Sequence, residues 1–229
     1  MDTRVALISG ANRGIGAAIA EYLYHQGWQL SLGMRTPKRP RWDDEGRCHL
    51  FAYDATKGQE QAWVEEALAR FGRIDALIPS AGIMTPKNVI EASDDDLDAM
   101  MAVNVKAPRR LAQAAWEPLK AHGCGRVILL ASLSGLRVKS AGAGLYAMTK
   151  HATVALSHAL RQLGWDDGIR ATAVCPGMVN TDMTQNADMP NAEKIDPNAI
   201  AASVVLLLNL PNNSSVAEFN INCTLEPSY

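Results

Sequence analysis

Tyr146 and Lys150 stand in a stretch of helical period, Tyr146-Ala147-Met148-Thr149-Lys150. Positions i and i+4 share a helix face, so the Lys150 ammonium can sit beneath the Tyr146 hydroxyl. A free phenol titrates near pH 10, and bringing it to about 7 takes roughly 4 kcal/mol of preference for the phenolate. A partly desolvated cation a few ångströms away has an effect of that order. A tyrosine so placed hands a proton to a carbonyl oxygen, or takes one from an alcohol, at neutral pH. Alone, such a pair is more often an ordinary surface pair.

A second cluster, Gly10-Ala11-Asn12-Arg13-Gly14-Ile15-Gly16, falls where a strand should turn into a helix. Glycines there let the backbone approach a pyrophosphate and aim helix N-terminal N–H groups at its charge. A tight turn without a ligand also uses glycines, and Gly-x3-Gly-x-Gly differs from the Gly-x-Gly-x-x-Gly fingerprint. Its place at the opening of an α/β chain favours nucleotide binding. The third signal is Asn104. Pro108, one helical turn later, has no N–H to give to the Asn104 carbonyl, so that acceptor is left free. A helix simply kinked at Pro108 is the plain alternative.

These groups need a scaffold, and short apolar runs alternating with helical periods predict one built of βα units around a parallel sheet. The predicted strands are Val5–Ser9, Gln29–Met34, Cys48–Tyr53, Ala76–Pro79, Arg126–Ala131, Arg170–Cys175 and Glu218–Asn222. Helices are expected over Gly14–Gln26, Gly58–Phe71, Asp94–Leu119, Leu145–Leu163 and Pro197–Leu208. Thr36–Arg47 is too polar and broken for a helix. Ser93-Asp94-Asp95-Asp96 looks like charge chemistry, but Ser93 with Asp96 three residues on is the spacing of a capping box. The fold class is therefore α/β, a doubly wound (Rossmann-like) parallel sheet of about seven strands with helices on both faces.

The 229 residues, 48% hydrophobic and 20% charged, suit a globular chain, and the lack of any linker or repeat makes 1–229 one domain. A net charge of −2 gives no electrostatic footprint for nucleic acid or an anionic membrane. Cys48, Cys124, Cys175 and Cys223 are widely spaced, which predicts buried thiols in a reducing compartment and neither a metal site nor disulfides. Met1–Ile8 shows no basic-then-apolar signal, and the aliphatic stretch Ile200–Leu208 falls short of a membrane span. A cytoplasmic protein is expected.

Together the glycine turn and the Tyr/Lys pair resemble the short-chain dehydrogenase/reductase family in its compact single-domain form. The resemblance extends through most of the chain. It implies a catalytic set of Tyr146, Lys150, Ser132 and Asn104, with Ser134 as the rival to Ser132 in bonding the substrate carbonyl. Ser132 is preferred because Arg126-Val-Ile-Leu-Leu-Ala-Ser matches the family's strand-then-serine pattern. In the family, the carbonyl corresponding to that of Asn104 holds a water linking the lysine to solvent. The resemblance further implies cofactor contacts from Gly10, Asn12, Arg13, Gly14, Ile15 and Gly16, from Asp54 and Ala55 to the adenine, and from Pro176, Gly177, Val179 and Thr181 to the nicotinamide. Tyr146 and Lys150 also meet the cofactor. Pro79-Ser80-Ala81-Gly82 departs from the family's Asn-Asn-Ala-Gly, so the side-chain bonds of both asparagines must be lost or replaced, and only the Ala81 and Gly82 backbone contacts carry over.

Charge selects the cofactor. An acid closing the second strand would receive the ribose hydroxyls of NAD, but the residues there are Gly33-Met34-Arg35. Arg35 and Arg13 can instead take a 2′-phosphate in fork geometry, which favours NADP(H) over NAD(H). A solvated basic loop, Arg35 with Lys38, Arg39 and Arg41, is the plain alternative. The resemblance implies a small carbonyl or alcohol substrate, a short polar lid near 183–195, and the loop Leu133–Gly144 as the opposite wall. Arg137 and Lys139 there suit an anionic substrate, though a solvent-facing loop explains them as well. The family expectation is a homodimer or homotetramer, although Val216–Tyr229 lacks the frequent Asp-Gly-Gly ending. Two other functions compete: a non-catalytic NADP(H) sensor or scaffold, which has no need of an acid–base set, and a sugar-nucleotide epimerase or dehydratase, whose glycine spacing differs.

Overall fold

Strands β1 (Val5–Ser9), β4 (Ala76–Pro79) and β5 (Arg126–Leu130) are buried at every position, as apolar strands covered on both faces should be. In the computed structural model, which describes residues 3–225, they form the centre of a seven-stranded parallel sheet. The other strands are β2 (Gln29–Met34), β3 (Cys48–Ala52), β6 (Arg170–Pro176) and β7 (Glu218–Ile221), and the order is β3-β2-β1-β4-β5-β6-β7. Residues 226–229 of the chain end discussed above lie outside the described residues.

Alternate side chains of β1 feed two cores. Ala6 and Ile8 join Ile19 and Leu23 of α1 (Gly14–His25) and Ile200, Val204 and Leu207 of α6 (Pro197–Asn209) on one face. Val5 and Leu7 join Trp63 and Val64 of α2 (Glu60–Phe71) on the other. There too pack Leu111 and Ala115 of α4 (Ala107–Lys120) and Leu160 of α5 (Gly144–Gly164). Trp63 is fully buried and its ring lies flat under β2: a Cβ on Gly33 would come within 2.5 Å of it. Its indole N–H donates to Ser31 Oγ at 2.8 Å, which satisfies the one polar atom of a large buried ring.

The expected strands and helices are all present, with ends displaced by a residue or two. The second helix starts at Glu60 rather than Gly58, because Gly58 adopts φ +68°. The largest departure is in Asp94–Leu119, expected as one helix. Here α3 (Asp94–Met101) passes through a π-helical turn, Ala102–Lys106, into α4. The wide turn accommodates Pro108, which cannot donate the ordinary helical bond. The capping box forms as expected, Ser93 Oγ accepting the Asp96 N–H at 3.2 Å and the Asp96 carboxylate accepting the Ser93 N–H at 3.0 Å.

The expectation of four buried thiols needs correcting. Cys48 and Cys175 are buried, Cys223 is half-buried, and Cys124 is exposed because its turn between α4 and β5 stands outside the core. Among the described residues no helix is long and apolar enough to cross a membrane.

Candidate active site

Between β1 and β4 the strand order reverses direction, and crevices at such switch points, beyond the carboxyl ends of the strands, are where α/β sheets bind ligands. A cleft of about 1200 Å³ opens there. Every residue proposed above as catalytic or cofactor-binding lines it, except Asn104.

The floor of the cleft is the glycine turn. Gly10 has φ +67°, and a Cβ there would lie 2.8 Å from the Ala81 amide nitrogen. A Cβ on Gly16 would lie 2.4 Å from the Gly10 carbonyl oxygen. Only glycine permits this packing of turn, helix and the chain after β4. After Pro79, Ser9 Oγ accepts the N–H groups of Ser80 (3.1 Å) and Ala81 (3.2 Å). Serine at the end of β1 thus ties down the segment Ser80–Ala81.

At the end of the cleft beside β2, Met34 closes the strand buried and Arg35 follows it exposed, so no carboxylate stands there. Asp54 Oδ1 accepts both the N–H and the hydroxyl of Thr56, and these bonds hold its carboxyl below the usual range, helped by Lys57 and Arg35. Behind it, Arg110 on α4 donates to the Ala55 carbonyl (2.7 Å) and to Glu60 (2.9 Å), which also accepts the Tyr53 hydroxyl. Arg13 has a partner the sequence did not suggest. Its guanidinium donates to Asp182 at 2.8 Å, across the cleft.

At the other end the catalytic candidates converge. Ser132 and Tyr146 line the same wall, and the Ser132 hydroxyl is the neighbour that draws the Tyr146 pKa down, which favours Ser132 over Ser134; Ser134 instead donates its backbone N–H to Ser132 Oγ at 3.1 Å. Close by, Cys175 Sγ lies 3.8 Å from the Ala173 carbonyl oxygen, and burial raises the pKa of this thiol to about 11. Lys150 lies beneath Tyr146, its Nζ 5.5 Å from the ring centroid. That ammonium donates to the Leu130 carbonyl at 2.7 Å, and burial lowers its pKa to about 8. The expected depression of the Tyr146 pKa is not what the structure shows. Burial pushes the phenol up, and the neighbouring Ser132 hydroxyl offsets this only in part, so Tyr146 carries its proton at neutral pH.

Asn104 sits behind this pair in the π turn, 2% exposed. Its Oδ1 accepts the Ile83 N–H (2.9 Å), and its Nδ2 donates to the Ile83 carbonyl (2.9 Å) and to Thr149 Oγ1 (3.0 Å). It therefore clamps the chain just after Gly82 to the helix carrying Tyr146 and Lys150. The carbonyl left free by Pro108 faces the Thr153 hydroxyl, at 3.2 Å. Thr149 and Thr153 were not singled out from the sequence. Thr149 lies three residues after Tyr146 and Thr153 three after Lys150 on the same helix, the spacing that could have drawn attention to them.

The segment expected as a lid, 183–195, follows the chain's exit from the sheet at Pro176 and opens with the short 3-10 turn Asp182–Thr184. It returns through a parallel bridge, Val179 to Ile195, in which Ile195 donates to the Met178 carbonyl and Asn180 to the Ile195 carbonyl, both at 2.9 Å. Inside the loop, buried Lys194 donates to the Thr184 carbonyl (2.7 Å) and to Asn191 (2.9 Å).

Comparison with known proteins gives this architecture a context. Residues 4–192 match the model of the family described as short chain dehydrogenase. An agropine synthesis reductase of Rhizobium rhizogenes is 37% identical over 97% of this chain, which spans about half (53%) of that relative's length. An uncharacterized oxidoreductase of Staphylococcus haemolyticus, 31% identical, is covered over 97% of its own length and 96% of this chain. Among solved structures, an alcohol dehydrogenase from the archaeon Thermococcus sibiricus, complexed with 5-hydroxy-NADP, superposes with a TM-score of 0.86 at 28% identity, covering 99% of this chain and 100% of that one. A short chain dehydrogenase from Burkholderia cenocepacia in complex with NADP gives 0.84 at 26% identity over 97% of each chain.

Proposed function

The chain belongs to the short-chain dehydrogenase family, and on that premise we propose that it is an NADP(H)-dependent oxidoreductase, its bound cofactor exchanging a hydride with a carbonyl or secondary alcohol carbon. The observation that carries this reading is the convergence of Ser132, Tyr146 and the buried Lys150 on one cleft floored by a glycine turn. The turn fits a dinucleotide because its backbone is bare where a Cβ would close the cradle. Gly10 to Gly16, Asp54, Ala55, Ala81, Gly82, and Pro176 to Thr181 would hold the cofactor. The absence of an acid after β2, with Arg35 in its place, supports the phosphorylated form, as do two structural relatives solved with NADP or its analogue.

Tyr146 is the proton donor to the developing alkoxide, and its raised pKa keeps it loaded for carbonyl reduction at neutral pH. Ser132 orients and stabilises the same oxygen. Lys150, at about 8, holds a proton within easy reach of neutrality and stands next to Tyr146 to replenish it. Asn104 positions these groups from behind. The segment 183–195 covers the substrate side of the cleft, opposite the loop that carries Ser134 and Lys139.

The test is Tyr146→Phe. NADPH affinity, read by fluorescence titration, should stay within a few-fold of the unaltered protein. Turnover of a responsive aldehyde, ketone, quinone or keto acid should fall by at least about 100-fold, the lower bound for losing a positioned proton donor. Retained turnover would refute the assignment of Tyr146, and binding without turnover by the unaltered protein across the panel would point to a sensor.

A further inference from the structure

The Arg13–Asp182 pair spans the mouth of the cleft, and of its two members only Arg13 has a role in the proposed chemistry. Arg13 closes the glycine turn immediately before α1, and Asp182 opens the short 3-10 turn at the root of the loop 181–195. The two side chains meet at 2.8 Å while remaining 62% and 63% exposed. The roots of the two elements are in contact as well: a Cβ on Gly14 would lie 3.2 Å from Thr181 Cγ2. Asp182 therefore places a carboxylate against the one basic side chain of the turn on which a dinucleotide phosphate would rest.

We propose that Asp182 is a specificity-determining residue that competes with the cofactor's 2′-phosphate for Arg13; the inference rests on the NADP(H) reading above. Three physical points support it. A guanidinium engaged through one nitrogen to a carboxylate can exchange that partner for a phosphate, which offers more oxygens and more charge in the same fork. Both groups are exposed, so the exchange carries little desolvation cost in either direction. A phosphate arriving at Arg13 also meets the Asp182 carboxylate as a like charge, which pushes the loop root off the turn. Asp182 thus weakens NADPH binding selectively. It also makes entry of the phosphorylated cofactor the event that releases the loop 181–195 from the glycine turn.

The test compares Asp182→Asn, Arg13→Gln and the double variant in equilibrium titrations with NADPH and with NADH, and measures NADPH dissociation by stopped flow. Asp182→Asn should bind NADPH about two- to fivefold more tightly, the range that the coupling of an exposed ion pair spans. Most of that gain should appear as slower dissociation, with NADH affinity unchanged. Arg13→Gln should weaken NADPH binding, and adding Asp182→Asn to it should then have no effect. Unchanged or weaker NADPH binding in Asp182→Asn would overturn the inference, as would equal tightening toward NADH, which would place the competition at the pyrophosphate. Failure of the unaltered protein to bind either dinucleotide would instead overturn the cofactor reading on which the inference stands.

Discussion

Removing the Asn104 side chain tests whether a residue that does not border the cleft nevertheless governs it. Asn104→Ala deletes three hydrogen bonds, two to the Ile83 backbone and one to Thr149 Oγ1. At about 1 kcal/mol net for each, the loss is about 3 kcal/mol. Two features reduce it. Ile83 is 37% exposed, so water reaches its freed backbone groups, and Thr149 keeps its own bond to the Tyr146 carbonyl at 2.8 Å. A net cost of about 2 kcal/mol follows, or roughly 4–8 °C in Tm for a chain of this size. Because Asn104 clamps the chain after Gly82 to the helix of Tyr146 and Lys150, kcat should fall by at least tenfold. Asn104→Asp sharpens the test. It keeps the acceptor for the Ile83 N–H but sets a second acceptor, charged and buried, against the Ile83 carbonyl and Thr149, so at pH 7 it should cost more than Asn104→Ala. Urea denaturation with steady-state kinetics on the same samples provides both readouts. A stability loss below about 0.5 kcal/mol for Asn104→Ala, or an Asn104→Asp variant as stable as the native chain, would refute the clamp.

Lys150→Met bears on pH. The folded-state pKa of Lys150, about 8, lies below its ordinary 10.5, so the unfolded chain binds more protons between these values. The native protein therefore bears the full penalty below pH 8 and sheds it as pH rises toward 10.5. That penalty is about 3 kcal/mol, less about 1 for the lost bond to Leu130. Lys150→Met should thus be more stable than the native chain by about 2 kcal/mol at pH 7 in urea titrations, with the gap closing toward pH 10.5 and turnover lost throughout. Gly16→Ala drives a Cβ to 2.4 Å from the Gly10 carbonyl oxygen, a backbone atom that cannot swing aside. It should cost about 1–3 kcal/mol of stability and weaken NADPH binding at least tenfold by titration.

The sequence was most legible where chemistry depends on local spacing. Tyr146 and Lys150 are neighbours on one helix face, the glycine turn must sit where β1 becomes α1, and the strands declare themselves as apolar runs because the sheet buries both their faces. What stayed hidden depends on contacts between distant segments. Nothing near Ser9 announces that its hydroxyl would accept backbone N–H groups more than seventy residues on, at Ser80 and Ala81. Pro108 signalled a freed carbonyl at Asn104, but that the helix widens into a π turn there and that Asn104 meets Thr149 and Thr153 of α5 are tertiary facts. The direction of the Tyr146 shift was misjudged for a related reason. Spacing shows that a cation is near, whereas burial and the turning of that cation toward Leu130 are tertiary facts.

The bridge between Val179 and Ile195 has a consequence for how this scaffold diversifies. It joins the two feet of the loop 181–195 within the space of a few residues, and Lys194 braces the loop from inside through Thr184 and Asn191. An excursion closed at its base contributes almost nothing to the alignment of β6 or α6, and loop-closure entropy grows only slowly with added length. Beyond Asp182, which is tied to Arg13, the segment can therefore change length at little cost to the sheet and helices that carry Ser132, Tyr146 and Lys150.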